Sequence, residues 1–216
     1  MTVYKTLANL KNKVENESKG GGGKKFLTLK DRDAFKIRFL QELTIDSKNF
    51  NESRGAAAIV AVHKSPLDFK KQMACTADNE EMGFKCWACE QTVKDPKWRP
   101  QTHFVANVAV LDENGNWSTM VLDQTFNQRH IGATLVEYAT EFGTITDRSY
   151  KVSRTGSKMH DTNYTLIPIE TGDEPSEFAD FEMHDANSVY RVLPYSEQAE
   201  FMTSTEDAPR NNASSW

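Results

Sequence analysis

The stretch HFVANVAVLDENGNWSTMVLDQTF, residues 103–126, contains two alternating apolar runs joined by a polar turn. Asparagine and glycine in the turn NGN tolerate the positive φ angles that tight hairpin turns require. The stretch therefore predicts a β-hairpin, because a turn of this composition lies between two alternating runs. The side chains that we expect in the core, rather than on a binding surface, are Phe104, Val108 and Val110.

Further strands are indicated on both sides of this hairpin. KKFLTLKDRDAFKIRFLQEL (24–43) predicts strand, turn and strand, and AAAIVAVH (56–63) predicts a short buried strand. SYKVSRTGS and TNYTLIPIE, within residues 149–170, predict two more, whereas HIGATLVEYATEF (130–142) has the apolar spacing of a helix. Several strands and one helix predict a mainly β (α+β) fold, a small closed or partly closed barrel.

Charge divides the chain into a basic body and an acidic end. Residues 1–160 carry 24 Lys and Arg against 19 Asp and Glu, and residues 161–216 carry 2 against 12. We expect a core at 24–170, followed by an acidic C-terminal region at 171–216 whose end has the composition of a disordered segment. GGGG predicts a flexible hinge at the end of an N-terminal arm, residues 1–23.

Hydropathy gives no indication of a membrane partner. No apolar run approaches the ~18 residues that a membrane span needs, and the N-terminus lacks the apolar stretch of a signal peptide. We therefore expect a cytosolic protein.

All three cysteines lie within one segment that begins with a histidine. His63, Cys75, Cys86 and Cys89 have the spacing H-x11-C-x10-C-x2-C. Three sulfurs and one imidazole suit tetrahedral Zn²⁺ and leave no open position for water, which is typical of a structural site. Metal binding would offset the entropy of ordering a long loop, so we predict a zinc subdomain inserted at about residues 63–99.

Other chemistries of this segment are disfavoured by its context. An odd cysteine count in a cytosolic chain argues against a disulfide framework. CWAC resembles a thioredoxin-like redox motif, but no βαβ unit surrounds it. A zinc deaminase would show H-x-E and P-C-x-x-C, whereas His63 is followed by Lys64 and Ser65, and Lys85 precedes Cys86. Free core cysteines and redox chemistry remain open as alternatives.

Cations and aromatic rings accompany both the predicted zinc loop and the strands. Cations can neutralise phosphates and rings can stack on bases, which are the two requirements of a groove for single-stranded nucleic acid. A solvated surface is the plain alternative for both sets. The candidates in the zinc loop are Lys64, Phe69, Lys70, Lys71, Lys85, Trp87, Lys94, Lys97, Trp98 and Arg99. The candidates in the body are Lys36, Arg38, Arg148, Tyr150, Lys151, Arg154, Lys158 and Tyr164.

In the order of its segments and in its motifs, the chain resembles the phage single-stranded DNA-binding proteins of the T-even helix-destabilising type. The resemblance is carried by FLTLKDRDAFKIRFL, the segment HKSPLDFKKQMACT…CWACEQ, the strand HFVANVAV and the segment TDRSYKVSRTGS…DTNYTL. It implies an oligonucleotide-binding (OB) fold, structural zinc on His63 and the three cysteines, and the cytoplasm of a phage-infected bacterium. It also implies self-association on DNA through the N-terminal arm, and contacts of the acidic tail with replication or recombination proteins.

These observations predict a non-enzymatic, sequence-independent binder of single-stranded DNA in phage replication, recombination or repair. No nucleophile–base pair, acidic metal cluster or phosphate loop in the sequence supports catalysis. We further expect the acidic tail to compete with DNA for the basic groove. The alternatives are a zinc-stabilised adaptor that binds replication or transcription proteins without touching DNA, and a thiol oxidoreductase.

Overall fold

The computed structural model describes residues 26–126, 131–157, 161–169, 178 and 181–204. The predicted N-terminal arm, the candidate Lys158 and all but the first two residues of the predicted disordered end (203–216) lie outside these residues.

The described residues form a mainly β structure, as the sequence predicts. The three α-helices are α1 (Trp87–Thr92), α2 (Ile131–Phe142) and α3 (Tyr195–Thr203), and short 3-10 helices span Pro96–Trp98 and Ala186–Ser188. The seven strands are β1 (Ala34–Phe39), β2 (Ala58–Lys64), β3 (Gln72–Ala74), β4 (Gln101–Leu111), β5 (Trp117–Thr125), β6 (Ser149–Thr155) and β7 (Asn163–Ile169).

Strand β4 organises the sheet. All seven named strands belong to one sheet in the order β3-β2-β4-β1-β6-β7, with β5 also paired to β4, and every pair of them is antiparallel. One edge of β4 pairs with β5 from His103 to Leu111, and its other edge pairs first with β2 and then with β1. This arrangement places β2 and β3 as an extension from a body made of β1, β4, β5, β6, β7 and α2.

The predicted hairpin is confirmed by the β4–β5 register. Its turn is closed by the Asp112 amide, which donates to the Asn116 carbonyl at 2.9 Å. Gly115 has a φ of 83°, a left-handed conformation that a side chain disfavours. The three hairpin side chains expected in the core are at most 3% exposed.

Alternation along β1 separates an apolar face from a basic one. Ile37 and Phe39 are 0% and 1% exposed and enter the main core, whereas Lys36 and Arg38 have the opposite parity and point outward. Helix α2 covers the core through Ile131 and contacts both β5 and β7. No helix of the described ranges combines the length and apolar character that a membrane crossing requires.

Two parts of the chain differ from the sequence-based expectation. The first predicted strand of residues 24–43 is reduced to an isolated bridge between Phe26 and Val121. The described part of the acidic C-terminal region is packed against the rest of the molecule: Val189 and Tyr190 fill a second apolar cluster, and Met202 of α3 is fully buried. The sequence analysis did not predict α3, although Pro194 and the following YSEQAEFM have the features of a helix start.

Candidate functional site

The four predicted ligands come together in the segment from residue 63 to 99, which we call the metal module. His63 lies near the end of β2, Cys75 directly follows β3, Cys86 precedes α1 and Cys89 lies within it. One donor atom from each lies within 4.8 Å of the donor atoms of the other three. The β2–β3 pairing and the C-x2-C turn into α1 therefore bring ligands from three places in the chain to one point.

The geometry of the cluster fits a tetrahedral ion. His63 Nε2 lies 3.5 Å from Cys86 Sγ and 3.4 Å from Cys89 Sγ, and Cys75 Sγ lies 3.4 Å from Cys89 Sγ. Zinc–ligand bonds of ~2.0–2.3 Å would place neighbouring donors about 3.5 Å apart. The cluster has this size and offers four protein donors, so it can hold a metal ion without a water ligand.

Hydrogen bonding at His63 prepares the ring for a metal. Its Nδ1 lies 2.6 Å from the Trp98 carbonyl oxygen, so Nδ1–H donates there and Nε2 is directed at the sulfurs. A backbone carbonyl partner of this kind fixes the tautomer and orientation of a ligating histidine. The ring is completely buried, which holds it in this geometry.

The sulfurs influence one another strongly. The hydrogen bond to Cys86 raises the pKa of the Cys75 thiol, and the same contact lowers the pKa of Cys86. Burial raises the pKa of Cys89. Without a cation, neighbouring thiolates repel one another, so crowded sulfurs favour one thiolate beside protonated thiols. A divalent ion would stabilise all three sulfurs as thiolates.

Helix α3 supports the metal module from outside it. The buried Gln198 accepts from the Trp87 amide at 2.9 Å and donates to Thr76 Oγ1 at 2.9 Å. Ser65 Oγ donates to the Met202 carbonyl at 2.7 Å, so both the cysteine segment and the β2–β3 loop are bound to this helix. The sequence analysis missed these residues, because nothing in their spacing indicates a contact with the cysteines.

No family model, curated protein or solved structure matches this chain.

The candidate cations of the metal module have different environments. Lys71 is only 9% exposed, and its ammonium donates to the Ser204 carbonyl and, at 2.7 Å, to Ser204 Oγ, so it serves packing. Lys64 is half-buried, and burial lowers its pKa although the charge of Asp123 raises it. The exposed candidates are Phe69, Lys70, Lys85, Lys94, Lys97 and Arg99.

The predicted ring wall of the module is mostly internal. Trp87 and Trp98 pack edge to face with centroids 5.1 Å apart. Trp98 is only 9% exposed and belongs to the apolar cluster beside the ligands, so it does not offer a face to a base. Phe69, in contrast, is 75% exposed on the loop between β2 and β3.

The body cluster predicted around β6 is divided between two faces of the strand. Tyr150 is opposite Ile37 in the register and is fully buried against Phe39, at a centroid distance of 5.3 Å. As a stacking platform for bases this residue is a wrong prediction, because the period of two turns it inward while Lys151 points outward. The sequence analysis grouped these residues by their proximity along the chain and did not consider on which face of the strand each side chain lies.

Two arginines of the same cluster are engaged within the protein. Arg148 forms a two-pronged ion pair with Asp147 at 2.7 and 2.8 Å and lies 3.9 Å above the Phe142 ring. Arg154 donates to the Leu29 carbonyl at 2.7 Å and lies 5.7 Å from the centroid of the half-buried Tyr164 ring. Because both guanidinium groups position loops through contacts within the protein, they have fewer hydrogen-bond donors available for a ligand.

A basic row remains on the outward face of the sheet. Lys36 of β1 is directly opposite Lys151 of β6, so the two side chains lie side by side. The Lys36 ammonium lies 5.6 Å from the centroid of the Trp117 ring on β5. This outward row therefore combines cations with a flat ring, and Trp117 is a member that the sequence analysis did not include.

Arg38 ends this face, next to the acidic C-terminal region. Its guanidinium lies 5.1 Å from the centroid of the Phe178 ring, which packs edge to face on Trp117 at 5.1 Å. The Phe178 carbonyl also accepts from Arg54, a residue that the sequence analysis did not single out. A phenylalanine of the acidic region thus lies beside the basic row.

Proposed function

We propose that zinc occupies the cluster of His63, Cys75, Cys86 and Cys89 and has a structural role. Three sulfurs and one imidazole match the preference of zinc, and the donor spacing matches its tetrahedral size. Atomic absorption on purified protein should find about one zinc per chain. A metal-free protein with a native fold would refute the assignment.

We also propose that the body is an OB fold. In chain order, β1, β4, β5, β6 and β7 pair as the five strands of that barrel do: β1 with β4 and β6, β4 with β5, and β6 with β7. Helix α2 occupies the place between the third and fourth strands. In this interpretation the metal module lies in the connection between the first two strands, one of the loops that bind oligonucleotides in OB folds.

On this basis, we propose that the chain binds single-stranded DNA without sequence preference, in phage replication, recombination or repair. The observation that carries the proposal is the outward row of Lys36, Lys151 and Trp117, with the exposed cations of the metal module at the end of the same sheet. Ammonium groups contact phosphates of any sequence, and a ring stacks on any base.

Fluorescence anisotropy with labelled oligothymidine tests the proposal. Binding should weaken steeply as salt rises, with a slope of about 0.7 per phosphate contact on a log–log plot, and double-stranded DNA should bind less tightly. Lys36→Ala and Lys151→Ala should each reduce the slope, whereas Glu113→Gln in the exposed hairpin turn should not. No binding of oligothymidine at low salt would refute the function.

An adaptor role is the second candidate, favoured by exposed apolar side chains on the metal module. Leu67, Phe69 and Phe84 are 64%, 75% and 62% exposed. Such side chains are commonly protein contacts when they cluster. The adaptor predicts that oligothymidine does not bind at any salt concentration, so the anisotropy series separates the two functions.

A further inference from the structure

The turn that joins α1 to β4 holds the partner of the histidine ligand. It contains the 3-10 helix Pro96–Trp98. The Trp98 amide donates to the Asp95 carbonyl at 3.1 Å, which closes the turn. The Trp98 carbonyl is the group that accepts from His63 Nδ1, at 2.6 Å. The backbone conformation of this turn therefore determines where the imidazole finds its partner.

Asp95 fixes the start of this turn. Its backbone is extended, and its Oδ1 atom accepts from the Lys97 amide at 3.0 Å. The carboxylate thus binds an amide that the first turn of a helix leaves without a partner. Pro96, with its restricted φ angle, is suited to the following position. The Asp95 amide donates to the Gln91 carbonyl at 2.9 Å, so the turn is also joined to the end of α1.

Trp98 connects the turn to the histidine and to the cysteine helix. Its carbonyl contacts His63, and its ring packs on the ring of Trp87 with centroids 5.1 Å apart. Trp87 follows Cys86 directly and begins the helix that contains Cys89. Because Trp98 is only 9% exposed, it is held in the apolar cluster beside the ligands. Movement of the turn would therefore displace the partner of His63 relative to the sulfurs.

The sulfurs are oriented by other amides. Cys75 Sγ accepts from the Ala77 amide. Cys86 Sγ accepts from the amides of Thr76 and Cys89. These amides lie in the segment after β3 and in α1, not in the turn before β4. A change confined to the turn should thus disturb the imidazole and leave these sulfurs in place.

Nitrogen and sulfur ligands differ in the ions that they favour. Soft thiolates alone can hold Cu⁺, whereas zinc accepts an imidazole together with thiolates and is tetrahedral in most structural sites. A carbonyl partner on the second ring nitrogen fixes the tautomer of a ligating histidine. The orientation of His63 should therefore matter more to zinc than to a thiophilic ion.

We propose that Asp95 is a positioning residue of the metal site. It holds the turn whose Trp98 carbonyl orients His63, and Nε2 of that ring then completes the three sulfurs. This raises the affinity of the site for zinc relative to Cu⁺. The inference rests on the proposed zinc site and adds to it a residue that acts on the ion through two others.

Competition with a chromophoric chelator, on the full chain with its thiols reduced, measures zinc affinity. Asp95→Ala should weaken zinc binding about tenfold, which is the lower end of the effect of partners that orient metal ligands. Asp95→Asn should retain the affinity, because an amide oxygen can accept the same bond from the Lys97 amide. Glu81→Ala is the matched control: it removes an exposed carboxylate from the same module and should bind zinc as the unaltered protein does.

Cu⁺ affinity separates positioning of the imidazole from a general loss of structure. It is measured without oxygen, by competition with a chelator specific for Cu⁺. Asp95→Ala should bind Cu⁺ as tightly as the unaltered protein, because the sulfurs keep their own amide partners. Equal losses of affinity for zinc and for Cu⁺ would refute the positioning role.

The outcomes separate this inference from the proposed zinc site. If the unaltered protein binds no zinc, the zinc site fails and the positioning role fails with it. If the unaltered protein binds zinc and Asp95→Ala binds it equally tightly, only the positioning role is refuted. A loss of zinc affinity in Asp95→Asn as large as in Asp95→Ala would also overturn it, since both Asp and Asn can cap the turn.

Discussion

The body and the metal module are held together by different means. In the body, alternating apolar side chains meet around Phe39, Phe104 and Tyr150, each at most 1% exposed. In the module, a small apolar cluster surrounds four ligand side chains, and polar contacts with α3 complete it. Burial of apolar area can stabilise the body alone. The module has only a small apolar cluster and is bound to a distant helix, so we expect a metal ion to contribute to its stability.

Loss of a ligand should have the largest effect and should separate the two regions. Cys86→Ser removes one of four donors, and a structural zinc site contributes roughly 10 kcal/mol to folding in isolated zinc modules. Zinc should be lost, and amides of residues 63–99 should exchange rapidly with solvent while those of β4, β5 and β6 stay protected. Glu81→Gln, an exposed change in the same module, should retain zinc. Global unfolding would contradict the independence of the body.

Substitutions at two neighbouring positions of β6 test the packing of the body. Tyr150→Ala should lower the free energy of unfolding by about 3–5 kcal/mol, because it leaves a cavity against Phe39. Lys151→Ala should change stability little and weaken oligothymidine binding instead. Urea denaturation and anisotropy measure the two quantities. Equal stability of the two variants would contradict the register of β6.

Removal of a contact with α3 should have a smaller effect on stability, and this effect should be confined to the metal module. Gln198→Ala leaves the Trp87 amide and Thr76 Oγ1 without their partner, at a cost of about 1–3 kcal/mol. Zinc should be released at lower chelator concentration, and amide exchange should quicken around Trp87. Glu197→Ala, on the exposed side of the same helix, provides the control. An unchanged chelator midpoint for Gln198→Ala would show that α3 does not support the ion.

The ion pair between Asp147 and Arg148 should have the smallest effect, and a pH-dependent one. The hydrogen bond from Arg148 lowers the pKa of Asp147, so the pair stabilises the fold above the ordinary carboxyl pKa of about 3.9, and this contribution is lost as pH falls through the lowered value. The part of the cost of Arg148→Gln that comes from the ion pair should therefore be at most about 1 kcal/mol at pH 7 and should vanish once Asp147 is protonated, which leaves only the loss of the contact with the Phe142 ring. A loss of melting temperature that is equally large at pH 7 and pH 2 would contradict a contribution from the ion pair.

The sequence predicts the body well because local pattern and tertiary burial agree there. The hairpin of β4 and β5, the parity of β1 and helix α2 all follow from local pattern. Strand β4 is the exception in burial, because it is buried from His103 to Val110 on both faces, one against the main core and the other against the second apolar cluster. The ligand set of the module follows from chemistry, since C-x2-C with a further cysteine and a histidine is restrictive. The identity of the ion remains a prediction.

The contacts between distant segments could not be predicted. Gln198 bonding to Trp87, and Phe178 lying between Arg38 and Trp117, have no signature in local periodicity. Tyr150 shows a second limit: a group of cations and rings close in sequence is divided by the pleat, so proximity along the chain does not imply a shared surface.

The dependence of the metal module on α3 has a consequence for biosynthesis. Gln198 is translated long after Trp87 and Thr76, so the ribosome delivers all four ligands before the helix that supports them. During that interval the nascent segment has all four candidate ligands but lacks its contacts with α3. A product terminated before residue 198 would therefore carry an incompletely closed loop, which proteases recognise more readily than the finished chain.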